Sequence, residues 1–278
     1  MRHLPRDHQG RPPRGEEECH VTLERPWGSL NYLDEGSGPL VVLLHPLAEA
    51  GELWRRWIDE LTPHFRVVAP DARGHGDSSW GGQQFSVADL ADDVAALIEH
   101  LDAGPARVAA LSMGGCTAVA LAVRHPRAVH SLVLADTTAD YGPDKAVAWG
   151  ERAEKAVTVP REKQLLFQVD RWFSPGFLER DPAEVERVSR IFTETDSRAH
   201  AAACRALGAY DDSARLGEIT APALVLVGED DYATPPAMAE ALHAGIPASH
   251  FHVLPEVRHL SLVESPHARA LAREHLDR

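Results

Sequence analysis

The chain has 278 residues, of which 44% are hydrophobic and 25% are charged, so its composition excludes a disordered or fibrous protein. Its 28 basic and 42 acidic side chains give a net charge of -14, and only three of the basic residues are lysines. This balance argues against a nucleic-acid partner, which needs a basic surface.

The cysteines and the lengths of the apolar runs indicate the cellular compartment of the protein and whether it spans a membrane. The three cysteines are far apart and form no CxxC pair, which predicts reduced thiols in a cytoplasmic protein. No apolar run approaches the ~20 residues of a membrane span, so no membrane partner is expected. Residues 1–19 are rich in arginine and proline and lack the apolar stretch of a secretory signal, and we expect a flexible tail there.

From residue 20 onward, short strand-like runs alternate with longer helical runs, which predicts an α/β fold with a mostly parallel sheet covered by helices. Two leading runs, His20–Glu24 and Ser29–Asp34, alternate polar and apolar side chains and predict an antiparallel hairpin at the sheet edge. Buried central strands are predicted at Leu40–Leu44, Phe65–Ala69, Arg107–Leu111 and Ser131–Ala135. Helices between them are predicted at Leu53–Leu61, Val87–Leu101 and Gly114–Arg124.

The pattern changes after residue 137, because the next stretch holds charged amphipathic helices and no clear strand. These helices are predicted at Ala146–Val157, Arg161–Trp172, Pro182–Phe192 and Ser197–Leu207. Strands resume at Ala223–Val227 and His250–Leu254, and a closing helix covers Ser265–Leu276. We therefore predict an eight-stranded core formed by residues 20–137 and 214–278, with a helical cap inserted at 138–213.

Ser112 stands at the turn from a predicted strand into a predicted helix, in the segment Ala110-Leu-Ser-Met-Gly114. This arrangement is typical of a nucleophile elbow, in which a strained turn exposes the serine. The small residues Ala110 and Gly114, two positions before and after it, would let strand and helix approach each other. The alternative is that Ser112 merely caps the helix that follows.

A serine hydroxyl becomes a nucleophile when a base takes its proton and an acid orients that base. His259 lies in a loop between the last predicted strand and the last helix, which favours it over the other histidines as the base. Asp231 follows the strand that ends at Val227 and is the preferred acid. Asp136, at the end of the preceding strand, is the alternative, and a third possibility is that both aspartates only cap turns.

The chain order serine, aspartate, histidine resembles that of the α/β-hydrolases. From Leu40 onward the chain carries similar motifs in the same order: His45-Pro46 where the family has His-Gly, Asp71-Ala-Arg-Gly-His-Gly-Asp-Ser78, Ser112 in the elbow, Gly228-Glu-Asp-Asp231, and His259 followed by Glu264-Ser-Pro266. Within that family it resembles the 3-oxoadipate enol-lactonases, through Leu111-Ser-Met-Gly-Gly115, Ala135-Asp-Thr-Thr138, Arg171-Trp-Phe-Ser-Pro175 and Ala233-Thr-Pro-Pro236.

The resemblance implies roles for further residues. The oxyanion hole would use the backbone N–H groups of Leu47 and Met113, since Pro46 has no N–H. The cap would close over the strand ends, and its candidates for lining the substrate pocket are Trp149, Arg152, Arg171, Trp172 and Phe173. The alternative is that the aromatic side chains form the core of the cap and the arginines lie on a solvated helix face. His45 and Asp71 are expected to hold loops, and Glu264 is expected to cap the last helix.

These observations predict a serine hydrolase that cleaves an ester or lactone of a small, acidic molecule, with no metal and no organic cofactor. One alternative keeps the same triad for thioester or peracid chemistry, or for a cyclisation or elimination. A second alternative is a ligand receptor that uses the same fold, because some relatives signal through a partner that docks on the cap.

Overall fold

The computed structural model describes residues 20–278, so the predicted tail at 1–19 lies outside the described residues. The strands within the described range are β1 (His20–Arg25), β2 (Gly28–Gly36), β3 (Leu40–Leu44), β4 (Arg66–Pro70), β5 (Ala106–Leu111), β6 (Val129–Ala135), β7 (Ala223–Gly228) and β8 (Ser249–Leu254). They form one sheet in the order β1-β2-β4-β3-β5-β6-β7-β8. The pairs β1–β2 and β2–β4 are antiparallel and the other pairs are parallel. The predicted α/β class, the mostly parallel eight-stranded sheet and the edge hairpin are confirmed.

Helices cover the sheet and follow the hydrophobic periodicity of the sequence. They are α1 (Arg55–Leu61), α2 (Val87–Leu101), α3 (Met113–Arg124), α4 (Lys145–Thr158), α5 (Arg161–Trp172), α6 (Pro175–Arg180), α7 (Pro182–Glu194), α8 (Ser197–Gly208), α9 (Pro236–Gly245), α10 (Ser261–Glu264) and α11 (Pro266–Leu276). The helices α6, α9 and α10 were not predicted from the sequence. The helices α6 and α10 are too short to show a helical period of hydrophobic residues. Both α6 and α9 begin with a proline, which is common at the first position of a helix.

The central strands are buried on both faces, which explains their continuous apolar sequences. Every residue of β3 and of β7 is buried. Five helices, α4 to α8, lie between β6 and β7, where α4 packs against α8 and α5 against α7. None of the helices within residues 20–278 is long and apolar enough to cross a membrane.

The loops after β3 and β4 are tied together by buried polar side chains. The Asp71 carboxylate accepts hydrogen bonds from the backbone N–H groups of Gly51, at 2.7 Å, and Asp77, at 2.9 Å. His45 Nε2 accepts from the N–H of Ala72 at 2.9 Å. These contacts hold two loops at the carboxyl end of the sheet, as expected for both residues.

Candidate active site

Ser112 lies in a sharp turn between β5 and α3, at φ 54° and ψ -117°. A positive φ is strained for a residue with a side chain, so the surrounding packing must hold it. The Ser112 N–H donates to the carbonyl of Ala135 on the neighbouring strand at 3.0 Å. A Cβ added to Gly114 would lie 2.2 Å from the carbonyl oxygen of Leu44, which explains the glycine. The Ser112 hydroxyl makes no capping hydrogen bond to α3, so it is free for other partners.

Ser112, His259 and Asp231 form one continuous hydrogen-bonded chain. His259 Nε2 is 2.9 Å from Ser112 Oγ, and His259 Nδ1 is 2.8 Å from Asp231 Oδ2 and 3.0 Å from Oδ1. All three residues are buried. Because a carboxylate only accepts, Nδ1 carries the proton and Nε2 is left to accept from the serine hydroxyl. The arrangement allows the imidazole to take the serine proton.

The Asp231 carboxylate is fixed by the turn that follows it. Its Oδ1 accepts from the N–H groups of Ala233, at 2.7 Å, and Thr234, at 3.1 Å. Its Oδ2 accepts from Thr234 Oγ1 at 2.7 Å. Burial opposes ionisation, but the adjacent His259 and the hydrogen bonds from Thr234 hold the pKa of Asp231 below its ordinary value. The sequence analysis assigned no role to Thr234, although an aspartate followed by a threonine three residues later is a common side-chain-to-backbone turn.

The protonation of His259 is set by the carboxylates beside it. Burial alone would lower the pKa of His259, but the charge and hydrogen bond of Asp231, together with the charge of Asp136, raise it above its ordinary value. The positive charge of Arg152 acts in the opposite direction, as burial does. The imidazolium form is therefore stabilised at this position, as a general base in acyl transfer requires.

Asp136, the alternative acid, lies behind the triad without a hydrogen bond to His259. Its Oδ1 accepts from the N–H of Gly228 at 2.9 Å, and its Oδ2 accepts from the N–H of Ser261 at 3.0 Å. Burial and the negative charge of Asp231 raise the pKa of Asp136 to about 8. The structure thus brings Asp231 to the imidazole, while Asp136 links the end of β7 to the loop that carries His259.

Ser112 and His259 open into a cavity of about 370 Å³ at the carboxyl end of the sheet. Five further predicted site residues line it, namely Leu47, Trp149, Arg152, Arg171 and Trp172. Met113 does not, and lines a neighbouring cavity of about 30 Å³. As the first residue of α3 it still has a backbone N–H with no partner inside the helix. The prediction for Phe173 is wrong, because its ring is fully buried and stacks on Phe177 with the centroids 5.0 Å apart.

Two arginines that line the cavity have no ion-pair partner among the described residues, and Asp144 lines the same cavity. The Arg152 guanidinium lies 5.0 Å from the centroid of the Trp149 ring, and neither Arg152 nor Arg171 pairs with a carboxylate of the described chain. Lys145, by contrast, pairs with Asp140. Within residues 20–278 no group of three or more histidine, cysteine, aspartate or glutamate side chains is placed to hold a metal ion.

The family model for the alpha/beta hydrolase fold matches residues 39–266. This chain belongs to the α/β-hydrolase fold family. It is 33% identical over 246 residues to 3-oxoadipate enol-lactonase 2 of Acinetobacter baylyi, covering 86% of this chain and 90% of that protein.

Two solved structures of the family resemble this α/β-hydrolase over most of both chains. The enol-lactonase of Burkholderia xenovorans has 31% identity and a TM-score of 0.83, covering 90% of this chain and 96% of that one. The malate-bound thermophilic esterase of Thermogutta terrifontis has 28% identity and a TM-score of 0.86, covering 93% and 98%.

Several residues that line the cavity of this α/β-hydrolase have no local sequence signal. They come from seven separate loops and helices that only the folded topology brings together. The lining residues that were not predicted from the sequence are Pro46, Glu49, Tyr141, Asp144, Lys145, Ala148, Gln168, Tyr232, Ala233, Thr234, Met238 and Leu260.

Glu264 departs from its predicted role in this α/β-hydrolase. The helix α11 is capped by Ser265, whose hydroxyl accepts from the N–H of Ala268. The Glu264 carboxylate accepts instead from the N–H and hydroxyl of Ser174, at 2.9 and 2.8 Å, and from the N–H of Arg258 at 2.6 Å. The capping prediction is wrong because serine followed by proline is the better helix start. Glu264 links the segment between α5 and α6 to the loop that carries His259.

Proposed function

We propose that the protein is a serine hydrolase that cleaves an ester or lactone of a small acidic molecule. The observation that carries the proposal is the hydrogen-bonded chain from Ser112 through His259 to Asp231, which opens into the cavity. Similarity to the enol-lactonases and to an esterase over nearly the whole chain supports the same reaction class.

In the first half of the reaction, Ser112 Oγ attacks the substrate carbonyl while His259 Nε2 takes the hydroxyl proton. Asp231 keeps the imidazole in the required tautomer and stabilises the imidazolium that forms. The tetrahedral intermediate then collapses, the bond to the leaving oxygen breaks, and His259 returns the proton to that oxygen. With a lactone, the alcohol so released stays attached to the acyl group.

In the second half, His259 takes a proton from a water molecule, and the resulting hydroxide attacks the acyl-enzyme. Collapse of this second intermediate releases the carboxylic acid and restores the Ser112 hydroxyl. The negative oxygen of both intermediates would be held by the backbone N–H groups of Leu47 and Met113. Leu47 lines the cavity, and Met113 directly follows the nucleophile at the start of α3.

The acidic character of the substrate is inferred from the charges of the cavity. A protein of net charge -14 repels an anion unless the site itself is locally positive. Arg152 and Arg171 line the cavity without a carboxylate partner in the described chain, and a guanidinium can bind a carboxylate through two parallel hydrogen bonds. Arg152 is the better placed of the two, because its charge acts on His259.

A fluorophosphonate probe tests the proposal, since it phosphonylates an activated serine. We expect labelling of the wild-type protein at Ser112, no labelling of Ser112→Ala, and a loss of ester hydrolysis of ~10³-fold or more in that variant. Labelling that persists at another serine would overturn the assignment. Wild-type protein that is inert towards every ester and lactone tried would favour another use of the same triad.

A further inference from the structure

Glu49 is a buried acid in the wall of the cavity that the proposed mechanism does not use. It lies two residues after Leu47 and is 1% exposed. Neither of its carboxyl oxygens has a hydrogen-bond partner among the described residues. Buried polar atoms almost always have partners in native proteins. Since Glu49 lines the same cavity as Ser112 and His259, the missing partner would be a group of the substrate.

The two arginines whose charges act on Glu49 contact other groups, although Arg161 Nε has no partner among the described residues. Arg187 pairs with Glu184, with Nε 2.9 Å from Oε2, and Arg161 contacts His200 and the carbonyl of Phe192. Burial raises the pKa of Glu49 well above its ordinary value; the charges of Arg187 and Arg161 oppose this shift, and that of Glu52 adds to it. Burial outweighs the opposing charges because no cation lies close enough to form an ion pair, and it therefore favours the uncharged form of Glu49.

An uncharged carboxylic acid has one O–H donor, and this donor restricts what the substrate can place beside it. A substrate carboxylate is disfavoured beside Glu49, because it would be a buried negative charge without an ion-pair partner there. An ammonium group is disfavoured by the positive charges of Arg161 and Arg187. A carbonyl oxygen fits, because it accepts the hydrogen bond without adding charge.

We propose that Glu49 determines substrate specificity by donating a hydrogen bond to a second, uncharged carbonyl oxygen of the substrate. The proposal rests on the serine hydrolase function proposed above and adds the substrate class, namely esters or lactones that carry a keto or amide carbonyl in addition to the one that Ser112 attacks. Glu49 is a binding residue in this proposal and takes no part in the transfer of the serine proton.

Two chromogenic esters of equal chain length test the proposal: 4-nitrophenyl 4-oxopentanoate and 4-nitrophenyl pentanoate. We expect the wild-type protein to prefer the oxo ester by about 3- to 10-fold in kcat/KM, which is the effect of one net hydrogen bond. In Glu49→Leu, which has no donor, the preference is lost. In Glu49→Gln, whose amide N–H still donates, at least half of it remains. Glu49→Met replaces the leucine variant if that variant does not fold.

Glu154→Gln is the control for replacing a glutamate away from the cavity, because Glu154 is an exposed acid on α4. It should keep the wild-type preference. Equal turnover of the two esters by the wild-type protein would overturn the role of Glu49 and leave the serine hydrolase function intact. The role of Glu49 would also be overturned if Glu49→Leu lowered kcat/KM equally for both esters, or if Glu49→Gln and Glu49→Leu changed the preference for the oxo ester equally. If the wild-type protein hydrolysed neither ester, the proposed function would fail, and the role of Glu49 with it.

Discussion

Replacing Asp231 by asparagine should reverse the tautomer of His259. Two backbone N–H groups point at Asp231 Oδ1, from Ala233 at 2.7 Å and Thr234 at 3.1 Å, so an asparagine must place its oxygen there. Its amide nitrogen then occupies the position of Oδ2, which is 2.8 Å from His259 Nδ1. Because both groups would be donors, Nδ1 must lose its proton and Nε2 must gain one. Nε2 can then no longer accept the proton of Ser112.

The expected loss in kcat for Asp231→Asn is on the order of 10⁴-fold, the size found for the equivalent change in a serine protease. The assay is steady-state hydrolysis of a chromogenic ester, with the melting temperature measured on the same samples. Asp136→Asn is the control, because its carboxylate binds two backbone N–H groups and does not touch His259. It should lower stability by about 1–3 kcal/mol, since one amide N–H would face another donor, and reduce kcat less than 10-fold. A larger kcat loss in Asp136→Asn than in Asp231→Asn would refute this reasoning.

Three further predictions follow from the same geometry. Arg152→Ala should reduce the preference for an acidic over a neutral lactone of equal size by about 10- to 150-fold in kcat/KM. Arg171→Ala should reduce it less, because Arg171 is more exposed. An unchanged preference in both variants contradicts the acidic-substrate proposal. The pKa of His259 is raised, and its neutral form is the base, so kcat/KM should fall on acidification with a midpoint above the ordinary pKa of 6.5. A midpoint below 6.5 would show that the imidazolium form is not stabilised. Gly114→Ala should lower the free energy of unfolding, measured in urea, by about 1–3 kcal/mol, because the new Cβ would lie 2.2 Å from the Leu44 carbonyl oxygen. Unchanged stability would show that the turn can relax.

Strands and nucleophile were predictable from the sequence because their signals are local. Buried runs such as Leu40–Leu44 are short and continuously apolar, and the elbow around Ser112 needs small residues at fixed positions. His259 and Asp231 required one more step, since each was chosen by its place after a strand in a parallel sheet. Their distances agree with that choice.

The remainder of the candidate site has no such local signal. Glu49 lies in a loop, where an acidic side chain is usually solvated, so its sequence position does not signal that it is buried in the fold. Glu264 was misread because acids before a helix commonly cap it. Its actual partners, Ser174 and Arg258, include one that is 90 residues away in the chain.

The position of Glu264 matters for the design of chimaeras in which the segment 138–213 is exchanged between related proteins. Its carboxylate binds Ser174 and Arg258 together, and the N–H of Leu260 donates to the carbonyl of Trp172 at 3.0 Å. A chimaera that replaced residues 138–213 with the corresponding segment of a relative would exchange Ser174 and Trp172, the partners of Glu264 and Leu260. Grafting a new specificity segment should therefore preserve activity only when residues 258–264 are transplanted from the same donor.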